Sequence, residues 1–438
     1  MPADSMKNTH PKGDKKMTDK ARKSKYPLTK LEKAWIGYDI GNSAFTLLVS
    51  TIFPIYFNSL AEGGGLAPHM ALAYWGYATA ITTLIVAILG PIFGAMADVR
   101  GKKKKLFAMT VAVGVLTMMA LMLPLSWFQF LVFFIIARVG YQASLVLYDA
   151  MLTDITEPER MSRVSSYGYA LGYIGSTVPF ILSLILILMG EKIGLSMQFR
   201  MGGAIIINAI WWLAFTIPLY KNFEQKYYAS ETMGSLGQVF RGLGKTILDL
   251  RHFKKAFLFL IAFFFYIDGV YTIIDMAVAY GGSLGLDSTQ LLLALLLTQF
   301  VAFPFALLFG KLSNKYDNGL LIKVCIVAYA LITLFAVQLD KVWEFWFLAV
   351  CVGMFQGGVQ ALSRSYFAQS IPKEKSGEYF GIYDIFGKGA SITGTLMVSA
   401  ISQATGRQNL GILALVILFI FGFYFFAKAD KVDREVIV

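Results

Sequence analysis

Apolar runs of about twenty residues, the length a helix needs to cross a roughly 30 Å hydrocarbon core, recur from one end of the chain to the other. Twelve are legible, at about 34–58, 70–96, 106–125, 127–150, 163–189, 200–219, 256–280, 289–310, 320–338, 343–366, 379–402 and 408–427. In lipid a segment must satisfy its backbone N–H and C=O groups internally, which leaves helices and closed barrels. Barrel strands alternate apolar and polar residues over segments of about ten, whereas these runs are apolar on all sides. The fold class is therefore an all-α membrane protein with twelve transmembrane helices. Its composition, 57% hydrophobic and 15% charged, lies outside the soluble globular range.

Of the 39 Lys and Arg residues, about 32 fall in the amino-terminal segment, the even-numbered connections and the carboxyl tail, and about four in the odd-numbered connections. That asymmetry predicts both termini in the cytoplasm and a multi-pass protein of the cell (plasma) membrane. It also accounts for the +12 formal charge, so no nucleic-acid partner is expected. The Lys-rich first segment has no short apolar core followed by a cleavage site, and reads as a tail rather than a signal peptide. Cys325 and Cys351 both lie in predicted spans and suggest neither a disulfide framework nor a metal site. His10, His69 and His252 lie outside the spans, so intramembrane proton chemistry would have to use carboxylates. The stretches "GKGASITG" and "GLGKTIL" lack phosphate-loop spacing. No enzyme activity, ATP-driven pumping, cofactor or metal is expected.

The chain reads as two halves. The expected organisation is a cytoplasmic tail (1–33), a six-helix bundle (34–220), a cytoplasmic linker (221–255), a second six-helix bundle (256–427) and a tail (428–438). Within the linker, Leu236, Val239, Phe240, Leu243, Ile247, Leu250 and Phe253 recur near helical spacing, predicting an interfacial amphipathic helix. Four matches recur in the same order at the half-length offset: Asp39 with Asp268, Gly94 with Gly310, Gln142 with Gln356, and Gly172 and Ser176 with Gly387 and Ser391. Two pseudo-symmetric bundles follow.

The most specific stretch is "GAMADVRGKKKK", with Gly94, Asp98, Gly101, Lys102 and Lys103. Glycines let helices approach closely, and an acid at the rim can cap a neighbouring helix's positive amino-terminal end, which suits a gate. The spacing resembles the motif that major facilitator superfamily transporters carry between their second and third helices. "YDIGNSAFTLLVSTIFPIYF", "YIDGVYTIIDMAVAYG" and "QALSRSYFAQSIPKEKSGEYFGIYDIFGKGAS" narrow the resemblance to the superfamily's vacuole-effluxer-like branch, as a bacterial member. The resemblance implies the major facilitator fold, alternating access, and a central cavity lined by the first, fourth, seventh and tenth helices. In fungal members it implies amino-acid export from the vacuole. In the second half Asn314 stands where the motif has its acid, so a second latch is not expected.

Ionised groups in spans are expensive, by roughly 3 kcal/mol on insertion scales, and mark function by default. Asp39 and Asn42 share a face of the first helix, and the repeat sets Asp268 opposite, with Tyr271 one turn on. The fourth helix offers Arg138 and Gln142, the tenth Gln356, Gln360 and Arg364. Acids on the first and seventh helices with guanidinium and amide groups on the fourth and tenth could hold a zwitterion. Arg138 stands one residue too far from Gln142 for the superfamily's proton-antiporter motif. Structural alternatives are a rim ion pair for Asp39, an outer-interface position for Asp275, and an internal pair between Asp384 and Lys388. The expected protein is a monomeric secondary transporter in the lipid bilayer, moving a small polar solute such as an amino acid, with protons as the candidate coupling ion. The alternatives are export of a drug-like or lipid-like amphiphile, and a membrane sensor that kept the fold.

Overall fold

The computed structural model describes residues 27–229, 253–283 and 288–435. They form α1 (Lys30–Gly63), α2 (Pro68–Ala97), α3 (Lys102–Ala120), α4 (Trp127–Ile155), α5 (Pro158–Lys192), α6 (Met197–Asn222), α7 (Lys254–Ser283), α8 (Ser288–Leu312), α9 (Asn318–Ala336), α10 (Val342–Ser370), α11 (Ser376–Thr405) and α12 (Gln408–Glu435). Ten are long and apolar enough to cross a membrane. The other two, α3 and α11, fall short among the described residues; α3 carries Lys102 to Lys105, and α11 carries Glu378, Asp384 and Lys388. The amphipathic segment expected in the linker lies almost wholly outside the described residues.

Several helices run past their apolar windows into polar turns. Helix α5 starts at Pro158, because proline's missing N–H costs nothing in a first turn. Thr29 and Glu32 close a capping box on α1, and Ser126 and Gln129 close another on α4. Inside α1 a π-helical turn spans Leu48–Ile52, just before Pro54. Proline cannot donate to the carbonyl one turn back, and the wider turn absorbs that defect inside the membrane.

Helix α1 packs on α5 and α6 as α7 packs on α11 and α12, while α4 packs on α2 and α3 as α10 packs on α8 and α9. The halves meet through α2 against α11 and α5 against α8, pairs that exchange when the halves are swapped. Small residues bring these helices together at the end of the bundle where α1 begins and α12 ends. A Cβ on Gly94 would overlap the Gly377 carbonyl, and one on Gly310 would stand 2.8 Å from Ser166 Cβ. Side chains such as Leu84, Leu116, Ile210, Leu331 and Ile420 are exposed on the outside of the bundle, where lipid would cover them.

Candidate functional site

Arg364 of α10 joins the two halves. Its Nη2 donates to Asp39 Oδ2 at 3.1 Å and its Nη1 to Asp149 Oδ1 at 3.0 Å. Nε donates to Ser165 Oγ at 2.9 Å and Nη2 also to the Ser165 carbonyl at 3.2 Å. The guanidinium lies over Tyr169 (4.4 Å), Trp35 (4.6 Å) and Tyr148 (5.5 Å). Trp35 and Tyr148 stack at 4.4 Å and exchange hydrogen bonds from side chain to backbone, which fixes both rings. Gly168 admits the ion pair, since a Cβ there would stand in the Asp39 carboxylate. The site therefore uses α1, α4 and α5 of one half and α10 of the other.

Its members differ in access. The Arg364 and Asp39 side chains are 3% and 9% exposed, but Asp149 is 21% exposed. Nearby on α11, Lys388 and Asp384 pair at 2.6 Å and are also partly exposed. The most exposed carboxylate of the knot is thus Asp149, which the sequence reading did not single out. It stands inside an apolar span, the signal that drew attention to Asp39.

The other expected site residues are spread out. Asn42 donates to Asp39 at 3.3 Å and to the Tyr38 carbonyl, and its Oδ1 accepts from Tyr141. Gln142 and Gln356 are buried; Tyr271 and Gln360 are half-buried. Arg138 donates to Thr79 of α2 at 3.3 Å and lies over Phe134, three turns from Asp149 and away from the arginine knot. Asp268 lies apart from this group. Helix α7 turns it into α11, where it is fully buried and Oδ1 accepts from Gly394 N–H at 2.9 Å and Thr272 O–H at 3.2 Å. It meets neither Asp39 nor an arginine, because α7 packs on α11 and α12 in place of α1.

At the rim, Asp98 accepts from Gly377 N–H at 2.8 Å and Glu378 N–H at 2.9 Å, capping α11 across the interface between the halves. Burial pushes its carboxyl up to about 7, against the pull of Lys103 and those two donors. Lys103 is fully buried and donates to Asp154 at 2.8 Å and to Ser376 at 2.9 Å. Gly101, at φ 70, supplies the left-handed residue that turns the chain into α3. Lys102, half-buried beside it, differs from Lys103 in burial. Asp154 also accepts from Lys226 and Tyr227 N–H at 2.9 Å, and Ala229 N–H reaches the Asp98 carbonyl, so the start of the linker lies across the latch. Among the described residues, no acid of the second half caps α5. Asp317 caps its own helix, and Asn318 donates to Ser162 at 2.6 Å instead.

The family described as "Vacuole effluxer Atg22 like" matches residues 69–435. An uncharacterized MFS-type transporter of Bacillus subtilis (strain 168), YxiO, is 42% identical over 399 residues, covering 90% of this chain and 93% of that protein. Autophagy-related protein 22-1 of Penicillium rubens is 27% identical over 288 residues, which are 59% of this chain and 47% of that protein. The match thus spans about half the length of that fungal relative. Among solved structures, the human organic anion transporter MFSD10 superposes with a TM-score of 0.69 at 14% identity, covering 92% of this chain and 100% of that one. The transporter FucP in the outward conformation superposes at 0.67 and 14% identity, covering 91% of this chain and 97% of that one. These likenesses give the fold, twelve helices in the major facilitator arrangement.

Proposed function

The chain belongs to the vacuole effluxer Atg22-like family, as a bacterial member of the major facilitator transporters, and from that premise we propose that it moves a small zwitterionic solute such as an amino acid by alternating access. The observation that carries this reading is the arginine knot with one half-exposed carboxylate. An ammonium group can take Asp149 from Arg364, and a carboxylate can take Arg364 from Asp149, so a zwitterion replaces both lost pairs at once. A solute with one charge engages only one member of the Arg364–Asp149 pair and gains one charge-assisted contact where a zwitterion gains two.

On this reading the structure is the carrier closed at the end bearing both termini. Basic-residue asymmetry puts that end in the cytoplasm of a plasma-membrane protein. The Atg22 relatives' effluxer description favours export, and a monomer suffices because the site lies within one chain. A second reading, export of an amphiphile, is favoured by an apolar cavity of about 60 Å³ between α7, α8 and α10, lined by Ile273, Leu291, Leu295, Phe345, Leu348 and Val352. Counterflow in proteoliposomes, with radiolabelled amino acids competed by zwitterions and by lipophilic cations, tests both. Competition by lipophiles alone would replace the first reading with the second, and no counterflow of any solute in the panel would remove the zwitterion reading.

A further inference from the structure

Among the described side chains, the arginine knot leaves one fully buried acid within a span unused. Asp268 is fully buried in the contact of α7 with α11. Both donors that reach it, Gly394 N–H and Thr272 O–H, go to Oδ1, and Oδ2 has no partner. Among the described side chains, the elements around it bring no charge. From α11 comes the Gly394 amide, and the ionic groups further along that helix, Lys388 and Asp384, are paired with each other. From α12 comes the Phe419 ring, packed on Gly269, with Tyr329 of α9 stacked behind it. Arg364 of α10 is held by Asp39, Asp149 and Ser165. Lys323 of α9 and Asp430 of α12 pair with each other at the rim.

A carboxylate here would be an unpaired charge with one bare oxygen, the arrangement that low-dielectric surroundings tolerate least. We propose that Asp268 is the proton-binding site of this carrier, with Oδ2 taking the proton and Oδ1 held by Gly394 and Thr272. The step forms one O–H bond: H⁺ comes from water when α7 and α11 part, and returns to water on the other side. The inference deepens the transport reading and rests on it for its purpose, since α11 is also the helix that Asp98 caps. A proton at Asp268 and the rim latch then act on one element, which is how proton occupancy would bias the closed end.

Infrared difference spectroscopy tests the site without any substrate. The full chain, labelled with ¹³C-aspartate and reconstituted in phosphatidylcholine vesicles, should show a protonated-carboxyl C=O band at neutral pH. Asp98, whose carboxyl lies near 7, contributes a constant part of that band, and Asp268→Asn should remove the rest. Thr272→Val, which keeps the shape and removes the hydroxyl donor, should shift it. Identical spectra for wild type and Asp268→Asn would overturn the proposal. So would loss of the wild-type band on adding sodium at fixed pH, which would make the site a cation site. Should Asp268→Asn fail to insert, an unshifted band in Thr272→Val overturns it instead. A band present in a protein that shows no counterflow would refute the carrier reading and leave the proton site standing.

Discussion

Arg364→Lys keeps a positive charge but not the fork that reaches Asp39, Asp149 and Ser165 together. It should insert and fold, yet lose counterflow by tenfold or more, since one lost bond of this kind is worth about 1.5 kcal/mol or above. Arg364→Met goes further and leaves Asp39 unpaired at 9% exposure. It should cost about 3–5 kcal/mol, read as a fall in thermal stability in detergent. Asp149→Asn, at the partly exposed member, should cost less stability and show a selective loss of competition by amine-bearing solutes. Equal stability for Arg364→Met and wild type would mean that the knot is already solvated. Asp39 and Arg364 were legible as charges in apolar spans, but their partnership was not. Which faces of α1, α4, α5 and α10 converge is decided by packing between residues 325 positions apart. Asp268 shows the converse: the repeat pairs it with Asp39, and the packing of α7 on α11 gave it a different neighbour.

At the scale of the helix, the rim motif is where sequence and structure agree most closely. An acid, two glycines and a lysine are spaced so that Asp98 meets the bare N–H groups of α11 and Gly94 meets Gly377. The sequence could not show that Lys103 would be buried while Lys102 is not, nor that Asp154 would hold the start of the linker. Those depend on chain segments brought together only after the bundle forms. Gly94→Ala forces a Cβ onto the Gly377 carbonyl, and overpacking of this kind costs about 1–3 kcal/mol. A cysteine at Ser166, buried against Gly310, should then react with a water-soluble maleimide roughly tenfold faster, because the closed end is populated less. The pH dependence has a definite sign. Asp98 lies near 7 in the closed end and returns towards its ordinary value of 3.8 once water reaches it. The closed end therefore binds the extra proton and gains stability as pH falls through about 7 towards 4. Labelling at Ser166→Cys should slow over that window, and Asp98→Asn should flatten the slope. A slope unchanged by Asp98→Asn would assign the titration to another group.

For the whole molecule, the question is whether the halves separate as bodies. The repeat made two six-helix bundles legible, and alternating access then requires that contacts between them at one end break in each cycle. Ser162 of α5 and Ser365 of α10 face each other across that boundary with hydroxyl oxygens 3.0 Å apart. Both are buried. Replacing both by cysteine puts two thiols within reach of a disulfide whose Cβ atoms need to be about 3.5–4.5 Å apart. The native Cys325 is buried and Cys351 half-buried, so both are first replaced by serine or alanine to keep the reaction specific. In Ser162→Cys/Ser365→Cys, mild oxidation should tie α5 to α10, hold the terminus-bearing end closed, and abolish counterflow. Reduction with dithiothreitol should restore it, which separates a lock from damage. On the alternating-access reading, the oxidised protein should still admit small maleimides to a cysteine at Asp149 from the opposite side of the membrane, because the cross-link ties only the terminus-bearing end. Full counterflow in the cross-linked protein would mean that α5 and α10 move together, and the boundary between the moving bodies would have to be drawn elsewhere.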